Sequence, residues 1–330
     1  MYPLNRNRRT RNSSSMRSLL QEHHLTPNDF IVPLFVVEGK QLKEAIPSMP
    51  GYFRLSLDLL AAKAVSLWKQ DLKAILLFVK VADHLKDNKG TEALNPTGLM
   101  QRAIKTIKNA VPEMIVMTDV ALDPYSSFGH DGIVEKGKVL NDPTVTVLSE
   151  MALSHAQAGA DVVAPSDMMD GRVLAIRNQL EDAQFHDTMI MSYSAKYASA
   201  FYGPFRDALD AAPGFGDKKS YQMDPCNRKE GVDEAHLDEA EGADMLMVKP
   251  GSLYLDVIRD LTESSNLPIA VYQVSGEYTM IKSAAERGWL DERDIMMESL
   301  IAFKRAGAKV IITYFAKEVS KHLINNYPNS

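Results

Sequence analysis

The chain has 330 residues, 45% hydrophobic and 24% charged, with a net charge of −6, an ordinary globular composition that excludes nucleic acid as the main partner because phosphate binding needs a concentrated basic surface. Its single cysteine, Cys226, excludes both an intramolecular disulfide and a cysteine-built zinc site, a usage that fits a reducing, cytoplasmic setting. No apolar run approaches the roughly 18 to 20 residues that span a bilayer, and no signal-peptide core follows Met1, so no membrane partner is expected.

The first stretch differs from the rest. Arg6, Arg8, Arg9, Arg11 and Arg17 surround Ser13, Ser14 and Ser15, and Glu22 is the first acidic residue. A disordered tail, an organelle transit peptide and an arm that orders only against another subunit all fit this composition. The expected boundary sets residues 1–28 as the arm and 29–330 as the catalytic domain.

From Phe30 onward, short apolar runs rich in β-branched residues alternate with helical periodicity. The runs read as buried parallel strands at Ile31–Val37, Ala74–Val79, Met114–Val120, Asp161–Pro165, Thr188–Tyr193, Ala243–Val248, Pro268–Val274 and Lys309–Tyr314. Leu99, Ala103, Ile104 and Ile107 mark one apolar helical stripe, and Leu253, Val257, Ile258 and Leu261 another. Asn95-Pro96-Thr97 and Asn141-Asp142-Pro143 read as helix starts. Eight strand–helix units with no linker between halves predict an α/β protein, a (β/α)8 TIM barrel with an extended N-terminal arm. The structural alternative is a doubly wound open sheet, but the glycine fingerprint expected after its first strand is absent.

Two connections exceed simple turns, one from about Ala121 to Asn141 after strand three, the other from about Phe201 to Gly231 after strand five. Loops of that length are usually functional, and these follow strands, so they belong to the barrel end where active sites form. Tyr193-Ser194-Ala195-Lys196 closes strand five and Met247-Val248-Lys249-Pro250-Gly251 closes strand six. A lone lysine there would snorkel to the rim. Two on adjacent strands point elsewhere. An amine attacks a ketone only when neutral, and an unperturbed lysine is roughly 0.04% neutral at pH 7. A neighbouring ammonium and burial both lower the pKa, so adjacent lysines activate each other and suit a substrate with two carbonyls.

Several segments then resemble one family. Gly242-Ala-Asp-Met-Leu-Met-Val-Lys249-Pro250-Gly251-Ser-Leu-Tyr254 is similar to the signature of the 5-aminolevulinate dehydratases, also called porphobilinogen synthases. So are Ala164-Pro-Ser-Asp-Met-Met-Asp170-Gly, Ser192-Tyr-Ser-Ala-Lys196-Tyr, Phe201-Tyr-Gly-Pro-Phe-Arg206, Ser220-Tyr-Gln-Met-Asp-Pro225 and Tyr272-Gln-Val-Ser-Gly-Glu-Tyr278. The resemblance implies a hydro-lyase that condenses two 5-aminolevulinate molecules into porphobilinogen for tetrapyrrole synthesis. Lys196 would hold the first substrate and Lys249 the second as Schiff bases. Arg206, Lys218 and Gln222 would grip the carboxylate of the Lys249-bound substrate from a closing lid, and Ser275 and Tyr314 would hold the other. Asp119 would orient an amine or shuttle a proton.

The loop after strand three departs from the zinc-dependent branch, which carries three cysteines there. This chain has Ala121, Asp123 and Asp131 instead. Carboxylates favour hard cations, so the resemblance implies Mg²⁺ and no zinc. Asp123 and Asp131 are candidates for an active-site cation, Mg²⁺ or monovalent, or for contact with the substrate amine, with an ion-free acidic loop as the alternative, and His130 reads equally as a solvated loop residue. Glu234 falls where the magnesium-stimulated branch places a regulatory, allosteric Mg²⁺ ligand, although dipole complementarity near a helix start also accounts for it. The resemblance also implies a homo-octamer, since family members assemble through such arms. Two rival functions stand beside this one: a lysine-dependent aldolase with one Schiff base and one structural lysine, and a non-enzymatic barrel kept as an assembly module.

Overall fold

The computed structural model describes residues 1–210 and 213–326. The eight apolar runs form strands β1 (Phe30–Val37), β2 (Ala74–Lys80), β3 (Ile115–Val120), β4 (Val162–Pro165), β5 (Met189–Lys196), β6 (Met245–Lys249), β7 (Ile269–Gln273) and β8 (Val310–Thr313). Each pairs in parallel with the next, and β8 returns to β1 with Phe30 opposite Ile311 and Ile31 opposite Ile312. The sheet is thus closed, the barrel expected from the eight units, and the open-sheet alternative falls. Parallel strands buried on both faces need apolar residues at successive positions, which is why they read as continuous runs and not as alternation. A hairpin, Lys43–Ala45 and Phe53–Leu55, adds to the end of β1.

Helices α1 (Ser14–Leu19), α2 (Leu57–Trp68), α3 (Leu99–Ala110), α4 (Asn141–Ala158), α5 (Arg172–Asp182), α6 (Gly203–Leu209), α7 (Arg228–Ala240), α8 (Leu255–Ser264), α9 (Ser275–Glu286), α10 (Glu292–Ala306) and α11 (Ala316–Asn326) follow in chain order. The stripe Leu99, Ala103, Ile104 and Ile107 is buried as expected. Leu253 is not part of the other stripe. It precedes α8 and is 66% exposed, leaving Val257, Ile258 and Leu261 to bury that helix. Asn95 does not start a helix either. Its side chain accepts from the Thr97 backbone N–H at 3.0 Å and closes a local turn, and α3 begins four residues on, at Leu99. Asn141 does open α4, and its side chain bonds the Asp170 backbone at 2.8 and 3.1 Å, tying α4 to the loop after β4.

The two long connections carry structure of their own. The one after β3 contains a small hairpin, Val134–Glu135 with Lys138–Val139. The one after β5 contains α6 and ends at Arg228, where α7 begins. The first 20 residues form a 3-10 turn, Asn7–Arg11, and α1, with no buried side chain; Met1, Leu4 and Leu19 are all more than three-quarters exposed. Among the described residues no helix is long and apolar enough to cross a membrane.

Candidate active site

Lys196 and Lys249 are direct register partners, each the last residue of its strand, and both are 5% exposed. The Lys196 ammonium donates to the Ser166 carbonyl at the end of β4. Lys249 has no carboxylate within 4 Å among the described residues. Its ammonium instead lies 4.9 Å from the Tyr193 ring centre, 5.3 Å from Tyr202, 4.9 Å from Phe205 and 4.7 Å from Tyr272. Burial, and then the charge of Lys196, lower its pKa from 10.5 to about 7. Near neutral pH about half of such amines are uncharged and nucleophilic.

Asp119, at the end of β3, is 5% exposed. Burial, followed by the charge of Asp123, raises its pKa to about 7, against the pull of a Ser166 hydrogen bond and of both lysines. A carboxyl and an amine that both titrate near 7 can exchange a proton at little cost.

The loop after β3 and the lid after β5 are latched together. Lys218 donates to Asp123 at 3.2 Å and to Asp131 at 3.0 Å, and all three side chains are buried. Burial works against the Lys218 charge, but the two carboxylates outweigh it and raise its pKa. The ammonium therefore stands between the two carboxylates named as candidate cation ligands. His130 is 2% exposed and not solvated; its ring nitrogens meet the Tyr221 hydroxyl at 2.9 Å and the Phe215 carbonyl at 3.1 Å. Gly214 N–H donates to the Phe128 carbonyl at 2.8 Å.

The residues expected to bind substrate carboxylates fall into two groups. The segment carrying Lys218 and Gln222 docks on β5, where Met223 N–H donates to the Lys196 carbonyl at 3.1 Å. Gln222 is 4% exposed, and its Oε1 is buried with no hydrogen-bond partner among the described residues. Ser275 and Tyr314 lie beyond β6. Ser275 opens α9, and the Tyr314 hydroxyl meets that of Tyr272, one ring of the Lys249 cage, at 2.9 Å. Arg206 sits half-buried on α6 beside Phe205, with no carboxylate within 4 Å among the described residues.

Glu234 lies on α7, outside this centre. Its carboxylate is 3.7 Å from Arg172, which also faces Asp238 at 3.3 Å and Asp167 at 3.7 Å. Burial raises the Glu234 pKa to about 6 despite Arg172. No cluster of three or more histidine, cysteine, aspartate or glutamate side chains able to hold a metal occurs among the described residues. Sequence reasoning assigned no role to Ser166, Tyr193, Tyr202 or Arg172. Ser166, Tyr193 and Tyr202 stand in the segments that carry the family resemblance, and that was the available signal.

A profile of the family described as Delta-aminolevulinic acid dehydratase matches residues 4–322. The chain is 53% identical over 325 residues to the chloroplastic delta-aminolevulinic acid dehydratase of Physcomitrium patens, spanning 96% of this chain and 74% of that one. It is 52% identical to the delta-aminolevulinic acid dehydratase of Chlamydia pneumoniae, with 94% of each chain covered. The solved structure of the Toxoplasma gondii ME49 enzyme in complex with the reaction product porphobilinogen matches with a TM-score of 0.96 at 50% identity, covering 98% of this chain and 93% of that one.

Proposed function

The chain belongs to the delta-aminolevulinic acid dehydratase family, and from that premise we propose how its residues join two 5-aminolevulinate molecules into porphobilinogen. The activity is that of a hydro-lyase of tetrapyrrole biosynthesis. The observation that carries the mechanism is the in-register pair Lys196 and Lys249, one ammonium bonded to a carbonyl and the other caged by rings. Each amine attacks a substrate ketone, expels its oxygen as water and holds the carbon as a Schiff base. The electron-poor imine carbon then favours the carbon–carbon and carbon–nitrogen bonds that build the pyrrole. Asp119 accepts and returns protons between the two carriers, which its position and its pKa near 7 support.

The grouping of carboxylate clamps differs from the one expected from the resemblance. Lys218 and Gln222 ride on the segment bonded to the Lys196 carbonyl, so they serve the Lys196-bound substrate. Ser275 and Tyr314 adjoin the Lys249 cage and serve the Lys249-bound one. A carboxylate at Ser275 also meets the N-terminus of α9, where free backbone N–H groups favour an anion. Arg206 completes the lid, its guanidinium free to pair with an incoming carboxylate.

The donor atoms for a metal are oxygens only, which suits Mg²⁺ and not zinc. Asp123 and Asp131 fit a resident active-site cation poorly, because the Lys218 ammonium already stands between them and bonds both. Glu234 fits a weak Mg²⁺ site with a largely aqueous shell, since its side chain is 25% exposed at a cavity also lined by Asp170, Asn227 and Glu230. Glu234 would hold Mg²⁺ there, and the ion would supply fixed positive charge near α7, away from the bond making. The exposed basic arm serves a homo-octamer, and the location is cytoplasmic. Incubation of purified protein with 5-aminolevulinate tests the reading: porphobilinogen should form with wild type and fall to background with Lys249→Met. Product from the Lys249→Met protein at more than a few per cent of the wild-type rate would refute it.

A further inference from the structure

Three of the four rings around the Lys249 ammonium are tyrosines, and their hydroxyls are not equivalent. The Tyr202 hydroxyl donates to the Lys249 carbonyl at 3.1 Å, and that of Tyr272 pairs with Tyr314 at 2.9 Å. The Tyr193 hydroxyl is fully buried and has no hydrogen-bond partner among the described residues. Such a group is costly to keep unless something arrives to satisfy it. Among the described residues Tyr193 is also the one ring shared by both lysines, 5.8 Å from the Lys196 ammonium and 4.9 Å from that of Lys249.

We propose that the Tyr193 hydroxyl is a catalytic proton shuttle, bonding the ketone oxygen of the substrate on Lys249 and carrying its protons as that oxygen leaves. The inference rests on the Schiff-base reading and adds a residue to it. As the Lys249 nitrogen bonds to the carbonyl carbon, the phenol gives its proton to the oxygen and recovers one from the now cationic nitrogen. The neutral carbinolamine then loses water: the phenol protonates the hydroxyl, the carbon–oxygen bond breaks, and the nitrogen lone pair forms the C=N bond. The phenolate takes the remaining proton from that nitrogen. Ketone and amine have become imine and water, and the phenol is restored.

Burial and the nearby Asp119 charge hold the phenol well above its ordinary pKa, so it is protonated and able to donate across the working range. Lys196 bonds a backbone carbonyl and does not occupy the hydroxyl. Nothing else in the cage is free to do this step, because Phe205 carries no polar atom.

Tyr193→Phe keeps the ring and removes only the oxygen. The kcat for porphobilinogen should fall by roughly 100-fold or more, as for loss of a general acid, with KM changed less than about threefold. Borohydride quenching followed by peptide mass mapping should show the Lys249 adduct appearing correspondingly slowly. Tyr202→Phe, whose hydroxyl is committed to the backbone, should slow the adduct far less. A Tyr193→Phe kcat within threefold of wild type would overturn the proposal. Should that variant not fold, fluorinated tyrosines placed at 193 keep the hydroxyl while lowering its pKa stepwise; kcat should then change systematically with phenol acidity, and a kcat independent of the substitution overturns the proposal equally. If wild type itself made no porphobilinogen, the Schiff-base reading would fail, a result distinct from an active wild type with an equally active Tyr193→Phe.

Discussion

Lys196→Met offers the sharpest view of how the site makes an amine reactive. In the intact site Lys249 titrates near 7 in place of 10.5, so at pH 7 about half of it is neutral, against roughly 0.04% for an unperturbed side chain. That is a gain of about 1,000-fold in attacking amine. Burial is the larger cause and the Lys196 charge the next, so methionine at 196 removes one cause and keeps the other. The Lys249 pKa should rise, by about one unit or more, leaving roughly tenfold less neutral amine at pH 7. The assay is the initial rate of the borohydride-trapped 5-aminolevulinate adduct on Lys249, followed by peptide mass from pH 5 to 10. Wild type should show a midpoint near 7 and Lys196→Met a more alkaline one. An unshifted midpoint in the variant, or a wild-type midpoint above 9, would refute the mutual activation of the two amines.

Arg206→Ala should raise KM and lower kcat/KM roughly 10- to 100-fold, the loss of one charge-assisted contact, while circular dichroism stays native; unchanged steady-state kinetics would remove Arg206 from the clamp. Deleting residues 1–20, none of which is buried, should shrink the particle in light scattering and leave the barrel's thermal midpoint nearly unmoved; an unchanged mass would make the segment a tail. Glu234→Ala should abolish stimulation by added Mg²⁺ and preserve basal turnover, and normal stimulation in the variant would move the ion elsewhere. With no thiolate cluster and Cys226 exposed, zinc should not copurify in stoichiometric amount, and metal analysis decides that directly.

The barrel was legible because buried parallel strands must be apolar at successive positions, and the runs from Phe30 to Val37 and from Ala74 to Lys80 have that composition. The lysine pair was legible because an ammonium at the end of such a run is costly. Leu253 misled because a hydrophobic residue just before a helix, here two positions ahead of Leu255, continues its periodicity without sharing its buried face. The contacts that define the site were not legible, since each joins segments far apart in the chain. Lys196 meets Ser166 across 30 residues, His130 meets Tyr221 across 91, and Lys218 meets Asp123 across 95. The Lys218 pairing places an ammonium between the two candidate metal ligands and ties the two long connections together. The spare hydroxyl of Tyr193 is visible only once the partners of Tyr202 and Tyr272 are known.

The double attachment itself is open to one direct measurement. Wild-type protein mixed with 5-aminolevulinate, quenched with borohydride within the first turnover and digested for mass mapping should carry the reduced substrate mass on the peptide containing Lys196 and on that containing Lys249. Adduct confined to a single lysine at every quench time, while porphobilinogen still accumulates, would contradict the two-carrier mechanism.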